Sequence, residues 1–400
     1  MQTMNKFLIK CSFFVISLGA AISGYFFYAL SGPFEVNGNG EWRMDVTGQV
    51  GDFIGGIVGT LFALSGTLLI YLSFREQTNQ NKREAFEAAF FEMLRLHREN
   101  VQEMRLSKEV DGHIELAENR KVFRLIYAEF VECYREVKKF FRKTDDYILP
   151  KYKLELDGIA RRINNKIDVK EMAMIDTAYC IVFFGMGNEG EQVLTHKFRN
   201  KYDGMHFRNL LAYIKLKPKQ TDELRYKNFL YFKGLPVTQQ RAKIRELYDF
   251  KRKAVIKNPT LSGAELNYLV RNDYMKYYGG HQHRLGHYFR HLFQTYKYLH
   301  YHPNLNAKEK YFYGKTLRAQ LSTYEQALLF INSISTLGMK WELLAEYKEE
   351  SGMNPDKIAK FRRKNHLITE YNLIKNLPGE SSFGFRYSTY YPSIKYESGE

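Results

Sequence analysis

Three cysteines in 400 residues, Cys11, Cys133 and Cys180, lie far apart and form no CxxC pair. That spacing excludes a disulfide framework and a cysteine zinc site. No HExxH, no P-loop, no Ser-His-Asp arrangement and no carboxylate pair with catalytic spacing stands out, so the commonest hydrolase and nucleotide-binding signatures are absent. Acidic residues are in deficit. Forty-four Asp and Glu face sixty Lys and Arg, giving a formal charge of +16, which suits an anionic partner such as nucleic acid or an acidic lipid surface. Hydrophobic residues make up 44% and aromatics 16%, ample for a packed core.

Two stretches lack charge almost completely. Phe7–Leu30 continues after Lys10 for about 20 apolar or small residues, the length that crosses a bilayer, and Phe53–Phe74 does the same. A signal peptide fits less well, since no clean small-x-small cleavage site follows the first run and a second run comes soon after. Gly55, Gly56, Gly59, Ala63 and Gly66 recur at roughly helical spacing, which predicts a small-residue face for helix-helix approach. Lys6 and Lys10 precede the first span, and Arg75, Lys82 and Arg83 follow the second. Between them lie Glu35, Glu41, Asp45 and Asp52 with only Arg43. Cations collect on the cytoplasmic side, so both termini are expected there. The expected architecture is mostly α: a transmembrane hairpin over residues 1–74, with spans at about 7–30 and 53–74, a cytoplasmic helical domain over 75–376, and a poorly ordered tail over 377–400, rich in Gly, Ser and Tyr.

Within that domain, Phe86, Phe90, Met93, Leu94, His97, Val101 and Met104 form one helical stripe, broken by Asp111-Gly112. Lys121–Thr144 resumes it with Phe123, Ile126, Tyr127, Phe130, Tyr134, Val137 and Phe141. Further helical pieces are read at Leu154–Arg162, Ala173–Phe184, Ser262–Val270 and Asn354–Glu370. The glycine-rich Gly185–Gly190 could cradle a phosphate, but it follows no clear strand and matches neither GxGxxG nor GxxxxGK, so it reads as a helix connection. Residues 201–258 mix basic and aromatic residues. Such mixtures suit single-stranded nucleic acid, and also read as ordinary solvated surface in a chain this rich in rings.

Six of the eleven histidines fall in Gly279–Pro303. There Leu285, Tyr288, Phe289, Leu292, Phe293, Tyr296 and Leu299 predict one buried stripe of a helix. His283, His287, Arg290 and Gln294 lie opposite it, with Arg284 and His291 on a flank. Tyr311–Leu337 predicts a second helix with Leu317, Leu321, Tyr324, Leu328, Ile331 and Ser335 on its seam. Arg318, Glu325 and Asn332 recur every seven residues at its border, and the short Pro303–Lys310 turn predicts an antiparallel hairpin.

The segments GDFIGGIVGTLFALSGTLLIYLSFREQ, FFEMLRLHREN, IVFFGMG, LGHYFRHLFQTYKYL and LRAQLSTYEQALLFIN, in this order between about Asp52 and Leu337, resemble phage abortive infection proteins of the AbiC type. The resemblance implies antiphage defence by a helical protein anchored in the bacterial inner membrane. Carried over by position, it singles out His287, Tyr288, Arg290 and His291, then Arg318, Gln320, Ser322, Glu325 and Asn332.

Three readings of the histidine helix follow. Arg284, with six residues between it and His291, fits the loose R-x4-6-H spacing of HEPN-type ribonucleases, with Arg290 and His287 as alternatives. Arginine would stabilise a pentavalent phosphate and histidine would serve as acid or base. His283, His287 and His291 could ligate zinc, but the helix carries no Glu or Asp, and no metal or other cofactor is expected. Third, the polar groups could be structural, paired across the hairpin with Glu325 and Asn332, Gln320 and Arg318 completing a support shell. Whether the protein is an enzyme stays open. The expected partners are the lipid bilayer, a phage component or RNA, and a second copy of the chain.

Overall fold

The computed structural model describes residues 2–30, 48–49, 51–52, 54–110, 113–141, 147–219, 221–256, 259–271, 273–343, 366–379 and 384–397. The chain divides into two compact units, Met1–Phe91 and Glu92–Glu400. It is mostly helical, as expected.

In the first unit α1 (Gln2–Leu30) packs against a helix that begins with a π-helical turn at Ile54–Val58 and continues as α2 (Gly59–Gln102). Both are long and apolar enough to cross a membrane. Their crossing is antiparallel. Ser12 and Ser65 exchange hydroxyl-to-carbonyl hydrogen bonds of 3.4 and 3.5 Å, and Gly19 sits beside Leu61 and Phe62. The small residues in contact are therefore Ser12, Gly19 and Ser65. Of the face expected from spacing, Gly55, Gly56, Gly59, Ala63 and Gly66, the glycines Gly55, Gly56 and Gly66 have, among the described residues, no atom within 4 Å of where a Cβ would stand. A serine pair satisfies its own polar groups at such a crossing, which glycine spacing does not foretell. Most of the expected outer loop lies outside the described residues.

The second unit is built around two helices. α3 (Lys121–Phe141) buries all seven residues of its predicted stripe. It packs on α5 (Val169–Phe184), in which every side chain from Met172 to Phe183 is buried. A helix that is apolar all round must be enclosed, and α13 (Thr323–Ile334) closes another side, buried throughout from Glu325 to Ile334. Asp176, the lone charge of α5's buried stretch, is fully buried. It accepts hydrogen bonds from Tyr152 Oη (3.0 Å) and from Thr336 N and Oγ1 (2.8 and 2.9 Å), with Lys201 Nζ at 3.6 Å. Around this centre lie α4 (Pro150–Ile163), α6 (Asn188–Phe198), α7 (Gly204–Lys215), α8 (Glu223–Gly234), α9 (Val237–Lys251), α10 (Gly263–Val270), α11 (Gln282–Tyr301), α12 (Ala307–Arg318), and the short α14 (Leu367–Glu370) and α15 (Tyr387–Tyr390).

Three expectations need correction. The helical pattern does break before Lys121, but the interruption holds a β hairpin that was not expected: β1 (Arg105–Val110) pairs antiparallel with β2 (His113–Glu118), Val110 opposite His113, while Asp111 and Gly112 themselves lie outside the described residues. Asp-Gly between two runs is the hairpin signal in the sequence. Tyr311–Leu337 is two helices. Ser322 caps α13, its amide donating to Glu325 Oε2 (2.7 Å) while its hydroxyl accepts from Glu325 N (3.4 Å), and this capping box starts a new helix after Arg318. The seven-residue recurrence of Arg318, Glu325 and Asn332 therefore crosses a break. Finally, residues 384–397 are packed rather than disordered. Phe385, Tyr387, Tyr390 and Tyr391 surround Phe330 of α13, and Tyr391 Oη donates to Ser333 Oγ at 2.7 Å. Aperiodic tyrosines can still bury rings one at a time against a preformed groove. Of the expected helix Asn354–Glu370, Leu367–Glu370 is helical and residues 354–365 lie outside the described residues.

Candidate functional site around the histidine helix

Helix α11 begins at a backbone crossing. Gly280 (φ 88°) lies so close to Phe184 that an added Cβ would stand 2.7 Å from its carbonyl oxygen. Gly185 (φ 78°) lies equally close to Gly279 and Gly280. Met186 N donates to Tyr278 O (2.8 Å) and His281 N to Phe183 O (2.9 Å). The Gly185–Gly187 turn is thus used up by protein backbone and joins α5 to α6, the connection read from its sequence.

The predicted wheel of α11 holds. All seven stripe residues are buried; His283, His287, Arg290 and Gln294 are exposed; Arg284 and His291 are half-buried. Three polar groups follow from this placement. At the helix start, buried His281 puts Nε2 3.1 Å from Glu129 Oε2, while Arg284 donates from Nε to Arg105 O (2.9 Å) and lies 3.4 Å from His281 Nδ1. One turn on, His283, Arg284 and His287 face Asn100, Glu103 and Arg105 across a cleft of about 250 Å3. Beneath it, fully buried Tyr288 donates from Oη to Glu325 Oε1 (2.9 Å), with Arg120 Nε 3.8 Å from Glu325 Oε2. Gln320 closes the ring, its carbonyl accepting from Arg120 (2.8 Å) and its Oε1 from Arg98 (3.1 Å).

Glu325 is therefore tied to α11 through Tyr288, and its cation is Arg120, not Arg290 or another cation of the histidine helix. Arg290 points to solvent and, among the described residues, makes no hydrogen bond or ion pair. A long cation opposite the buried stripe cannot turn under its own helix to reach a carboxylate in the core. The expected support shell divides. Gln320 and Glu325 join the α11 network, whereas Arg318 donates to the carbonyls of Tyr371 (2.8 Å) and Asn372 (3.3 Å), and Asn332 donates to Tyr179 Oη (3.1 Å). These last two hold other elements, because the break at Ala319–Ser322 turns them away.

His97 was legible as part of a buried stripe but not as a member of this site. Its ring lies 5.1 Å from Tyr288 and 6.1 Å from His291, centroid to centroid. Among the described residues neither of its nitrogens, nor His291 Nδ1, has a hydrogen-bond partner. Burial first, then His291, Arg120 and Arg98, hold the His97 pKa down to about 4, and burial followed by His287 lowers that of His291. Both rings are neutral at pH 7, so they can accept a proton but not donate one as imidazolium. His281, Glu129, Arg98 and Arg120 were also missed, each lying in a different helix or turn, where only folding reveals proximity.

Among the described residues no group of three or more His, Cys, Asp or Glu side chains could hold a metal.

A pH prediction follows from His97. Its folded pKa lies below the ordinary 6.5, so an unfolded chain takes up the proton first as pH falls. The stability it contributes is present above pH 6.5 and is lost as pH falls toward 4, on the order of 3 kcal/mol in all. His97→Phe, which keeps the ring and removes two unpartnered nitrogens, should be at least as stable at pH 7. It should also flatten the loss between pH 6.5 and 4 in urea unfolding; an unchanged acid limb would refute this role.

No curated protein and no solved structure matches this chain. Residues 280–348, which carry α11, α12 and α13, match the family described as "putative phage abortive infection protein".

Proposed function

We propose that this chain is a membrane-anchored antiphage defence protein, a sensor or effector that impairs the infected cell. The family match over the α11–α13 region carries that reading. Anchoring draws support from α1 and the start of α2, where Phe7, Phe13, Phe14, Ile70 and Phe74 expose large apolar side chains that water would not favour. The cation pattern favours cytoplasmic termini. Alkaline phosphatase fused after Asn39 should then be active and fused after Gly399 inactive; the reverse would overturn the orientation. The defence role is tested by expressing the protein in a phage-susceptible host and recording plaque formation, membrane potential and RNA integrity after infection. Equal plaque counts with and without the protein, against a broad phage panel, would count against it.

In this reading the polar groups of α11 are structural: Tyr288, Glu325, Arg120 and Gln320 satisfy one another, as buried polar groups must. A ribonuclease of the HEPN kind is the second reading, favoured by one observation, that Arg284 and His287 line the same cleft. Arginine could hold a phosphate there and His287 exchange the proton of a ribose 2′-hydroxyl. Arg284 already donates to Arg105 O, so a phosphate would have to compete for it.

The two readings place different demands on the histidines. Glutamine fills similar space and hydrogen-bonds but cannot exchange a proton near neutral pH. His287→Gln and His291→Gln are expected to stay folded and to keep phage protection. Loss of protection with unchanged stability, together with loss of RNA cleavage in infected cells, would favour the ribonuclease. Arg290→Lys keeps the charge without the planar fork, and with Arg290 in solvent it should leave protection intact.

A further inference from the structure

Between Asn188 and Lys253 the sequence carries sixteen Lys and Arg against seven Asp and Glu, more than half of the formal +16 of the whole chain in a sixth of its length. The fold brings six of these cations, Arg199, Arg208, Lys215, Arg241, Arg245 and Lys251, to two clefts beside one helix end. Asp203 caps α7 by accepting from Met205 N (3.1 Å) and His206 N (2.8 Å). From the first turn and a half, Gly204, Phe207 and Arg208 border a cleft of about 790 Å3 on one flank, and Met205, His206 and Asn209 border one of about 600 Å3 on the other. Residues at i, i+3 and i+4 share a flank, so a single helix end serves both clefts.

The lining charges do not cancel. The first cleft holds Arg199, Arg208 and Lys251, and its only carboxylate among the described residues, Glu191, is already paired with Lys215. The second holds Arg241 and Arg245, and its only carboxylate among the described residues is Asp203, committed to the α7 cap. Among the described residues Arg199, Arg245 and Lys251 make no ion pair. Arg208 and Arg252 lie over the ring of Tyr248, with guanidinium carbons 5.9 and 4.4 Å from its centroid. Uncompensated cations converging on a recess repel one another unless an anion enters.

We propose that the two clefts flanking α7 bind single-stranded nucleic acid through its phosphate backbone. A flexible strand can carry successive phosphates from Arg199 and Lys251 on one flank to Arg245 on the other, whereas one free phosphate would meet only one cleft. A planar headgroup surface would meet only the outermost of these cations. Arg208, at the edge of the first cleft and 5.9 Å from the Tyr248 ring, is a group on which an unpaired base could stack, and such stacking tolerates any sequence. This surface is separate from the α11 cleft, and its role does not depend on whether α11 cleaves RNA.

Full-length protein in detergent, titrated into a fluorescein-labelled oligouridylate about 20 nucleotides long, provides the test, with the matching DNA in a second arm and vesicles rich in phosphatidylglycerol in a third. Arg199, Arg245 and Lys251 are exposed and outside any ion pair, so the triple Arg199→Ala, Arg245→Ala, Lys251→Ala variant should melt like wild type. It should bind the oligonucleotide at least tenfold more weakly. Its log-log salt slope should fall in magnitude by about 2, at roughly 0.7 for each phosphate that is no longer neutralised. Lys153→Ala with Lys166→Ala, exposed lysines elsewhere, should change neither quantity. RNA and DNA arms that respond alike identify the backbone as the ligand; an RNA arm that alone responds adds the 2′-hydroxyl. Equal binding by wild type and triple variant, equal loss in the lysine control, or a triple-variant defect confined to the vesicles would overturn the proposal.

Discussion

Glu325→Ala is expected to lower the stability of the detergent-solubilised protein by about 3 kcal/mol, the scale for leaving one side of a buried charged network unpaired. Glu325 is fully buried, and its carboxylate accepts from Tyr288 Oη and Ser322 N while facing Arg120. Arg120 is half exposed and can turn to water, so the cost falls on the buried tyrosine hydroxyl and on the α13 cap. Glutamine can offer an oxygen to only one of the two donors, so Glu325→Gln should cost roughly half as much. Pairing Glu325→Ala with Tyr288→Phe in a double-mutant cycle should reveal a coupling of about 1 to 2 kcal/mol. Arg290→Ala, on the solvent face of α11, should cost less than about 0.5 kcal/mol. A denaturant midpoint for Glu325→Ala equal to wild type, or a coupling of zero, would refute the network.

Gly280→Ala should be at least as damaging, on the order of 3 kcal/mol, because two costs combine: a left-handed backbone that a Cβ resists, and overlap with a packed neighbour. The neighbour is the Phe184 carbonyl, 2.7 Å from where the Cβ would stand, and main chain cannot swing aside as a flexible side chain would. Gly185→Ala meets Gly279 and Gly280 from the other side of the same crossing and should behave alike. Gly286→Ala is the control. That glycine sits inside α11 with the Phe183 ring at 3.4 Å as its nearest neighbour, so alanine should be neutral or gain up to about 1 kcal/mol of helix propensity. Urea midpoints and limited proteolysis between α5 and α11 would register the difference. Gly280→Ala unfolding with wild-type stability would show that the crossing can open, and with it the entry to the histidine helix.

The histidine helix itself was readable. A stripe at 3.6-residue spacing needs only one chain segment and a core to face, so Leu285 to Leu299 and their solvated opposites could be assigned without knowing what covers them. The same logic served for α3. It failed at Ala319–Ser322, where the apolar rhythm runs on through a break that only the Ser322–Glu325 capping box marks. It was silent on either side of Asp111-Gly112, where the helical stripe stops and two short strands pair instead, a contact between segments that no helical period can signal.

Hydrophobic period, charge balance and the two uncharged runs are local properties, carried by residues close together in the chain, and they determined the helical class, the candidate spans and the solvated face of α11. Partnership is not local. Whether Glu325 meets Arg290 or Arg120 and Tyr288, and whether Arg318 joins α11 or the carbonyls of Tyr371 and Asn372, depends on rotations set by helix packing. The same packing decides whether His97 and His291 share one buried pocket. A single break changes the facing of every residue beyond it. Those pairings were settled by the tertiary structure, because buried polar groups take whichever partner the packed backbone brings within reach.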